Sequence, residues 1–196
     1  MLLNFQDLDK SKRYKLISQT ITPRPIGWVV TEDQVINIAP FSFYTPLSSD
    51  PPTLLLSIGH RPDGSPKDTL RNIETTKRCT ICSVFPDAME QMHLSSVPLA
   101  PGESESEHFQ IPTKRLHSDY PPAIEGAASA FFCTFFTRID LPGSSTIPII
   151  LSIEHGWYDD RYIDDTLSLS FRNLGRNGKY YQLPGQLIEA KPLPKA

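Results

Sequence analysis

The chain reads as a mainly β protein: a β-barrel with Greek-key topology and a few short peripheral helices. Two observations predict this. At least six short runs rich in Val, Ile, Phe and Thr are separated by turn-forming residues, as in antiparallel barrels. Proline is abundant, with 19 residues among 196. That density excludes a mainly helical bundle, because an interior proline removes a helical hydrogen bond, and it suits short strands joined by constrained loops. The length fits one domain with a real core, and no repeat or boundary divides residues 1–196.

Residues 7–18 read as a lead-in helix with Tyr14, Leu16 and Ile17 packing inward. Pro23 and Pro25 hold Arg24 extended between them. Ile26–Thr31 and Val35–Ala39 are β-prone around a turn at Glu32-Asp33-Gln34, which predicts a hairpin with Asn37 on its second arm. Pro40 to Pro52 reads as a long, aromatic-rich loop. Long irregular segments inside compact domains are often functional. Thr53–Ile58 is a buried strand by its apolar run.

A helix over 66–75 and a strand near Arg78–Val84 come next. Pro86 opens a helix to about Leu94, with Met89, Met92 and His93 on a packing face. Residues 97–107 read as a loop, and Ser104–Phe109 as a solvated run that could cover a site edge. Ala128–Ile139 carries four phenylalanines and is apolar almost throughout, so both faces should be covered, by the barrel and by a partner subunit. Ile147–Glu154 is a strand with Trp157 and Tyr158 after it, and Tyr162-Ile163 forms a short one. Arg172–Tyr181 is a Gly-rich turn ending in aromatics.

The stretch that carries chemistry is Ser57–Arg71, where a strand runs through a Gly/Pro-punctuated loop into a helix. Ser65 as N-cap, Pro66 at the first helical position and Asp68 three residues on make a capping pattern; with Asp68 as the cap, the helix starts three residues later. Either way a helix N-terminus points free N–H groups and its positive dipole end into the loop. Arg61, Lys67 and the Thr69 hydroxyl are the side chains a phosphate wants beside those groups. The loop therefore reads as the holder of a small cofactor's phosphate. It is neither a Walker loop nor a dinucleotide fingerprint, since the spacing of both is absent.

Composition narrows the remaining classes. The net charge of −3 gives no basic footprint for nucleic acid and no cationic face for a membrane. The opening Met-Leu-Leu-Asn-Phe-Gln-Asp has too short an apolar run for a signal peptide. Three cysteines, an odd number, suit a reducing compartment, so the expected location is the cytoplasm. Cys79 and Cys82 fall within one strand at odd separation and should point to opposite faces as core residues. The histidines show no metal-binding spacing, and no Gly-x-Ser-x-Gly elbow occurs. His60 reads as a solvated loop residue beside the cofactor stretch.

Four segments then carry a resemblance: Thr22-Pro-Arg-Pro-Ile-Gly-Trp28, Asn37-Ile-Ala-Pro-Phe-Ser-Phe43, Ser48-Ser-Asp-Pro-Pro52 and Gly59-His-Arg-Pro-Asp-Gly-Ser-Pro-Lys-Asp-Thr-Leu-Arg-Asn72. In order and spacing they resemble the flavin reductase-like family of FMN-binding split-barrel proteins, flavoredoxin-like members included. The match is strongest over residues 20–85. Gly27 stands where Ala is common in the family.

The resemblance implies a dimeric split barrel holding FMN near the subunit interface. It would act as an oxidoreductase with NADH or NADPH as co-substrate, or as a non-catalytic FMN-binding or electron-transfer module. The segment Asn37–Ser42, through Asn37, Ala39, Pro40, Phe41 and Ser42, would follow the flavin ring and ribityl chain. Ser57, Ile58 and Gly59 would add contacts from the neighbouring strand. Arg61, Lys67, Asp68 and Thr69 would surround the phosphate, with Asp68 capping the helix or orienting a cation. Arg24 is a further member of the pocket. No side chain is nominated as acid or base.

Overall fold

The structure is a computed structural model that describes residues 1–61, 63–100 and 102–185. It begins with helix α1 (Lys10–Thr20) and strands β1 (Arg24–Pro25), β2 (Gly27–Glu32), β3 (Ile36–Phe41), β4 (Tyr44–Ser49) and β5 (Pro52–Gly59). Helix α2 (Asp68–Thr76), strand β6 (Arg78–Cys82) and helices α3 (Met89–Leu94) and α4 (Glu105–His108) follow. The chain continues through β7 (Thr113–Lys114), β8 (Ala123–Ile124), β9 (Ser129–Arg138), β10 (Thr146–Tyr158), β11 (Gly175–Asn177) and β12 (Tyr180–Gln182).

Seven strands form one antiparallel sheet in the order β3-β2-β6-β9-β10-β5-β4. The two edge strands, β3 and β4, are joined by Ser42 and Phe43 alone. A connection that short cannot span a flat seven-stranded sheet, whose neighbours lie about 4.8 Å apart. The sheet therefore curls until the end of β3 lies beside the start of β4, while the two edge strands stay unpaired with each other. The Ser57 N–H donates to the Phe43 carbonyl at 2.8 Å, carrying the β4–β5 pairing into the link.

Strand alternation divides the apolar residues between two cores. Val29, Phe41, Leu56, Ile58, Ile81 and Ile149 fill the interior of the curl, and Leu70 and Ile73 of α2 plug one end. Trp28, Val30, Ile38, Cys82 and Phe132 form a second core outside it, with Val84, Met92, Ile111, Tyr120, Ala127 and Leu174. Cys79 lies in the first core and Cys82 in the second, as their odd separation requires. All three cysteines are free and buried.

Several expectations are corrected. The Pro40–Pro52 loop is largely strand, since β3 runs to Phe41 and β4 occupies Tyr44–Ser49. Pro46 is tolerated because β4 is an edge strand and its register slips between Pro46 and Ser48. Helix α1 does not bury the residues expected inward, for Tyr14 and Ile17 are exposed and Ser18 is buried. On α3 only Met92 is buried. Strand β9 is buried or half-buried along most of its length within the chain, and Phe136 near its end is 61% exposed. Strand β10 extends to Tyr158 and takes in Trp157.

Candidate functional site

Strand β3, the loop after β5 and the start of α2 enclose a cavity of about 240 Å³. Alternation along β3 aims Asn37 and Ala39 into it, with Phe41 deeper in the interior core. His60 and Arg61 form the loop wall, and Lys67, Asp68 and Thr69 the helix wall. The remaining side is Ser95–Leu99, with Glu105 of α4 beneath.

Helix α2 begins two residues after the first capping pattern predicts and one before the second. Lys67 takes the N-cap position, with extended backbone and no side-chain cap, and Asp68 opens the helix. The Asp68 and Thr69 N–H groups have no partner among the described residues. An uncapped N-terminus facing a cavity is an anion acceptor. Asp68 does not spoil it, because Arg61 ion-pairs with one carboxylate oxygen and Arg71 Nη2 lies 2.5 Å from the other. Lys67 has no carboxylate within ion-pair distance among the described residues. Its ammonium sits 5.8 Å from the Phe41 ring centroid. Burial pushes the Lys67 pKa down, and Arg61 adds to the shift. An anion in the cavity would reverse it.

The floor is a buried polar network. Asn37 Nδ2 donates to Thr31 Oγ1 at 3.1 Å and to Thr69 Oγ1 at 3.0 Å, and Asn72 Nδ2 reaches the same Thr31 oxygen at 3.2 Å. Thr69 is 1% exposed. Its hydroxyl accepts from Asn37 and keeps its own proton to give. Glu105 accepts the Ile38 N–H at 2.9 Å, and burial raises its carboxyl pKa, opposed by that hydrogen bond. A larger groove of about 380 Å³ adjoins the cavity, but Asp33, Glu103 and Glu105 line it, so an anion is better placed on the Lys67 side.

A second cavity, of about 170 Å³, shares Ser96 with the first and is lined by Pro40, Ser42, His93, Arg176 and Tyr181. The sequence-predicted residues thus divide. Asn37, Ala39, Arg61, Lys67, Asp68 and Thr69 meet around one cavity, and Pro40 and Ser42 face the other. Ile58 is fully buried in the barrel, while Ser57 and Gly59 are half-buried on the other face of β5. Arg24 lines neither cavity. It is 4% exposed and donates to the Ser18 carbonyl and, at 3.4 Å, to that of Ile21, closing the end of α1.

A model of the Flavin reductase like domain matches residues 19–178. This chain belongs to the flavin reductase-like family. An uncharacterized protein of Aquifex aeolicus (strain VF5) is 29% identical over 185 residues, covering 90% of this chain and 92% of that one. The structure resembles nitrilotriacetate monooxygenase component B from Bacillus cereus with a TM-score of 0.90 at 20% identity, over 97% of this chain and 98% of that one. It resembles an FMN-binding protein from Thermus thermophilus, with bound 1-cyclohex-2-enone, at 0.73 and 19% identity, over 88% and 93% of the two chains. At such identities the likeness shows the fold, a split barrel.

Within this flavin reductase-like chain, the Ser95–Leu99 wall and Glu105 escaped sequence reasoning. One signal was present: the Ser104–Phe109 run was read as a possible cover for a site edge. His60 lines the cavity wall, where a solvated loop residue was expected.

Proposed function

We propose that the protein is an FMN-dependent oxidoreductase. The observation that carries the reading is the uncapped start of α2, where two N–H groups and the Lys67 ammonium, all without partners among the described residues, border one cavity. FMN is amphipathic, with a flat ring and a doubly charged phosphate. The Asp68 and Thr69 N–H groups, the Thr69 hydroxyl, Lys67 and Arg61 suit the phosphate in number and sign. Ala39 and Pro40 on β3, Ser42 in the link after it, and Ser57 and Gly59 on β5 would supply the surface along the ring and its chain. Bound flavin would supply the electron transfer itself. The protein's part is to hold the phosphate, keep Asp68 neutralised by Arg61 and Arg71, and fix the ring's exposure. Reduced nicotinamide, NADH or NADPH, is the proposed donor. A homodimer, as the family resemblance implies, is the proposed assembly.

The test is a visible spectrum of the purified protein, repeated without oxygen after adding each nicotinamide. Bound yellow flavin that bleaches is the expected result. Bound flavin that neither nicotinamide reduces would leave a binding or electron-transfer module. Replacing Arg61 and Lys67 together with Ala removes two charge-assisted contacts worth about 1.5–3 kcal/mol each, so FMN affinity should fall about 100-fold or more. Arg71 remains to neutralise Asp68, and circular dichroism should be unchanged. A double variant that stays yellow refutes the phosphate assignment.

A further inference from the structure

Strands β1 and β11 pair with Arg24 directly opposite Arg176. Like charges in register on an antiparallel pair repel each other. Neither arginine has a carboxylate within ion-pair distance among the described residues. Water cannot relieve Arg24, which is buried and whose Nε has no hydrogen-bond partner. Burial, with Arg176 adding to it, lowers the Arg24 pKa. Arg176 is held but not satisfied. Its Nε donates to the Gly178 carbonyl at 2.9 Å and its guanidinium lies 4.4 Å from the Tyr181 ring centroid, while its terminal nitrogens have no partner among the described residues.

Arg176 and Tyr181 line the cavity of about 170 Å³. His93 is fixed there by a 2.8 Å contact between its Nδ1 and the Tyr181 hydroxyl. Ser42, 3.5 Å from Arg24 Nη2, connects the buried arginine to the same wall. Among the described residues no acidic one lines this cavity, and Ile26 and Met92 give it an apolar side. Two unneutralised guanidinium groups beside an acid-free hollow form a cation site awaiting its counter-charge, and a guanidinium fork matches a carboxylate or phosphate bidentately.

We infer that this second cavity binds an oxyanion, a carboxylate or phosphate group carried by the molecule that exchanges electrons with the flavin, and that Arg176 is its principal contact. Only the words about flavin rest on the proposed function; the anion site does not. Ser96, common to both cavities, brings a ligand here alongside the first one.

The test is calorimetric titration of the full chain with sodium benzoate and, separately, methyl phosphate, at ionic strength matched with sodium chloride. At least one probe should show a binding component in the wild type that Arg176→Gln weakens about tenfold or more and Lys67→Ala leaves unchanged, methyl phosphate showing in addition a Lys67-dependent component at the start of α2. FMN should show the opposite pattern. Benzoate alone identifies the carboxylate source, and methyl phosphate alone the phosphate source. The inference is overturned if neither probe depends on Arg176, or if saturating FMN displaces the probe, which would make the cavity part of the cofactor's own site. Should Arg176→Gln fail to fold, the wild-type Arg176 Nε–H resonance must still move on probe addition, and a stationary resonance overturns the inference. A chain that takes up no FMN but binds the probe through Arg176 would refute the flavin reading and leave this site standing.

Discussion

Glu105 carries its charge into the fold at a cost. Burial lifts its carboxyl pKa, and the Ile38 N–H opposes the rise only in part. The folded protein therefore holds a proton there to higher pH than the unfolded chain does. Stability should fall as pH rises through the window just above the ordinary carboxylate range. Glu105→Gln keeps an acceptor for Ile38 and removes the charge. The variant should melt higher than wild type at about pH 8 and no higher at about pH 4. A calorimetric difference independent of pH would disprove the charge argument. Sequence reasoning found Asn37, Lys67 and Thr69 because they stand in a local pattern around one helix start. It read Glu105 within a solvated run, because its burial depends on a hydrogen bond 67 positions away in the chain.

Helix α2 sacrifices its cap to its cavity. Ser, Thr, Asp or Asn at the N-cap would satisfy an orphan N–H, and Lys67 satisfies none. Lys67→Ser should therefore stabilise the protein by about 0.5–1 kcal/mol in urea unfolding while weakening FMN binding. A variant that loses both stability and affinity would show that Lys67 holds the helix start by packing instead. Ser65 and Pro66 form the pattern that misdirected the sequence reading. Pro66 instead makes an isolated antiparallel bridge with His60 across the loop, and Asp63 takes up the Ser65 N–H and hydroxyl. The β4 strand was hidden for a similar reason: proline usually marks a loop, and only an edge position with a slipped register admits it.

At the scale of the whole molecule, the barrel was legible from proline density, strand spacing and the parity of Cys79 and Cys82. Its manner of closure was not, because it depends on strands far apart in the sequence coming face to face. Gly27 of β2 illustrates this. A Cβ there would lie 3.1 Å from Ile81 Cγ2 and 3.3 Å from Tyr44 Cγ, so the β4 tyrosine reaches across to the opposite wall. Tyr44 is half-buried and its pKa is raised, burial being the main cause. Gly27→Val should cost about 1–3 kcal/mol by overpacking, read from urea unfolding. A neutral result would mean that the two walls are free to part.

The Ser42-Phe43 connection has a consequence for how the chain reaches this state. Loop-closure entropy grows with the number of residues enclosed. The two rims are tied end to end by the shortest stitch in the sheet, so bringing the end of β3 beside the start of β4 encloses almost no slack. The rims stay unpaired with each other along their length among the described residues, so each keeps a row of backbone groups that a stranger's strand could take up.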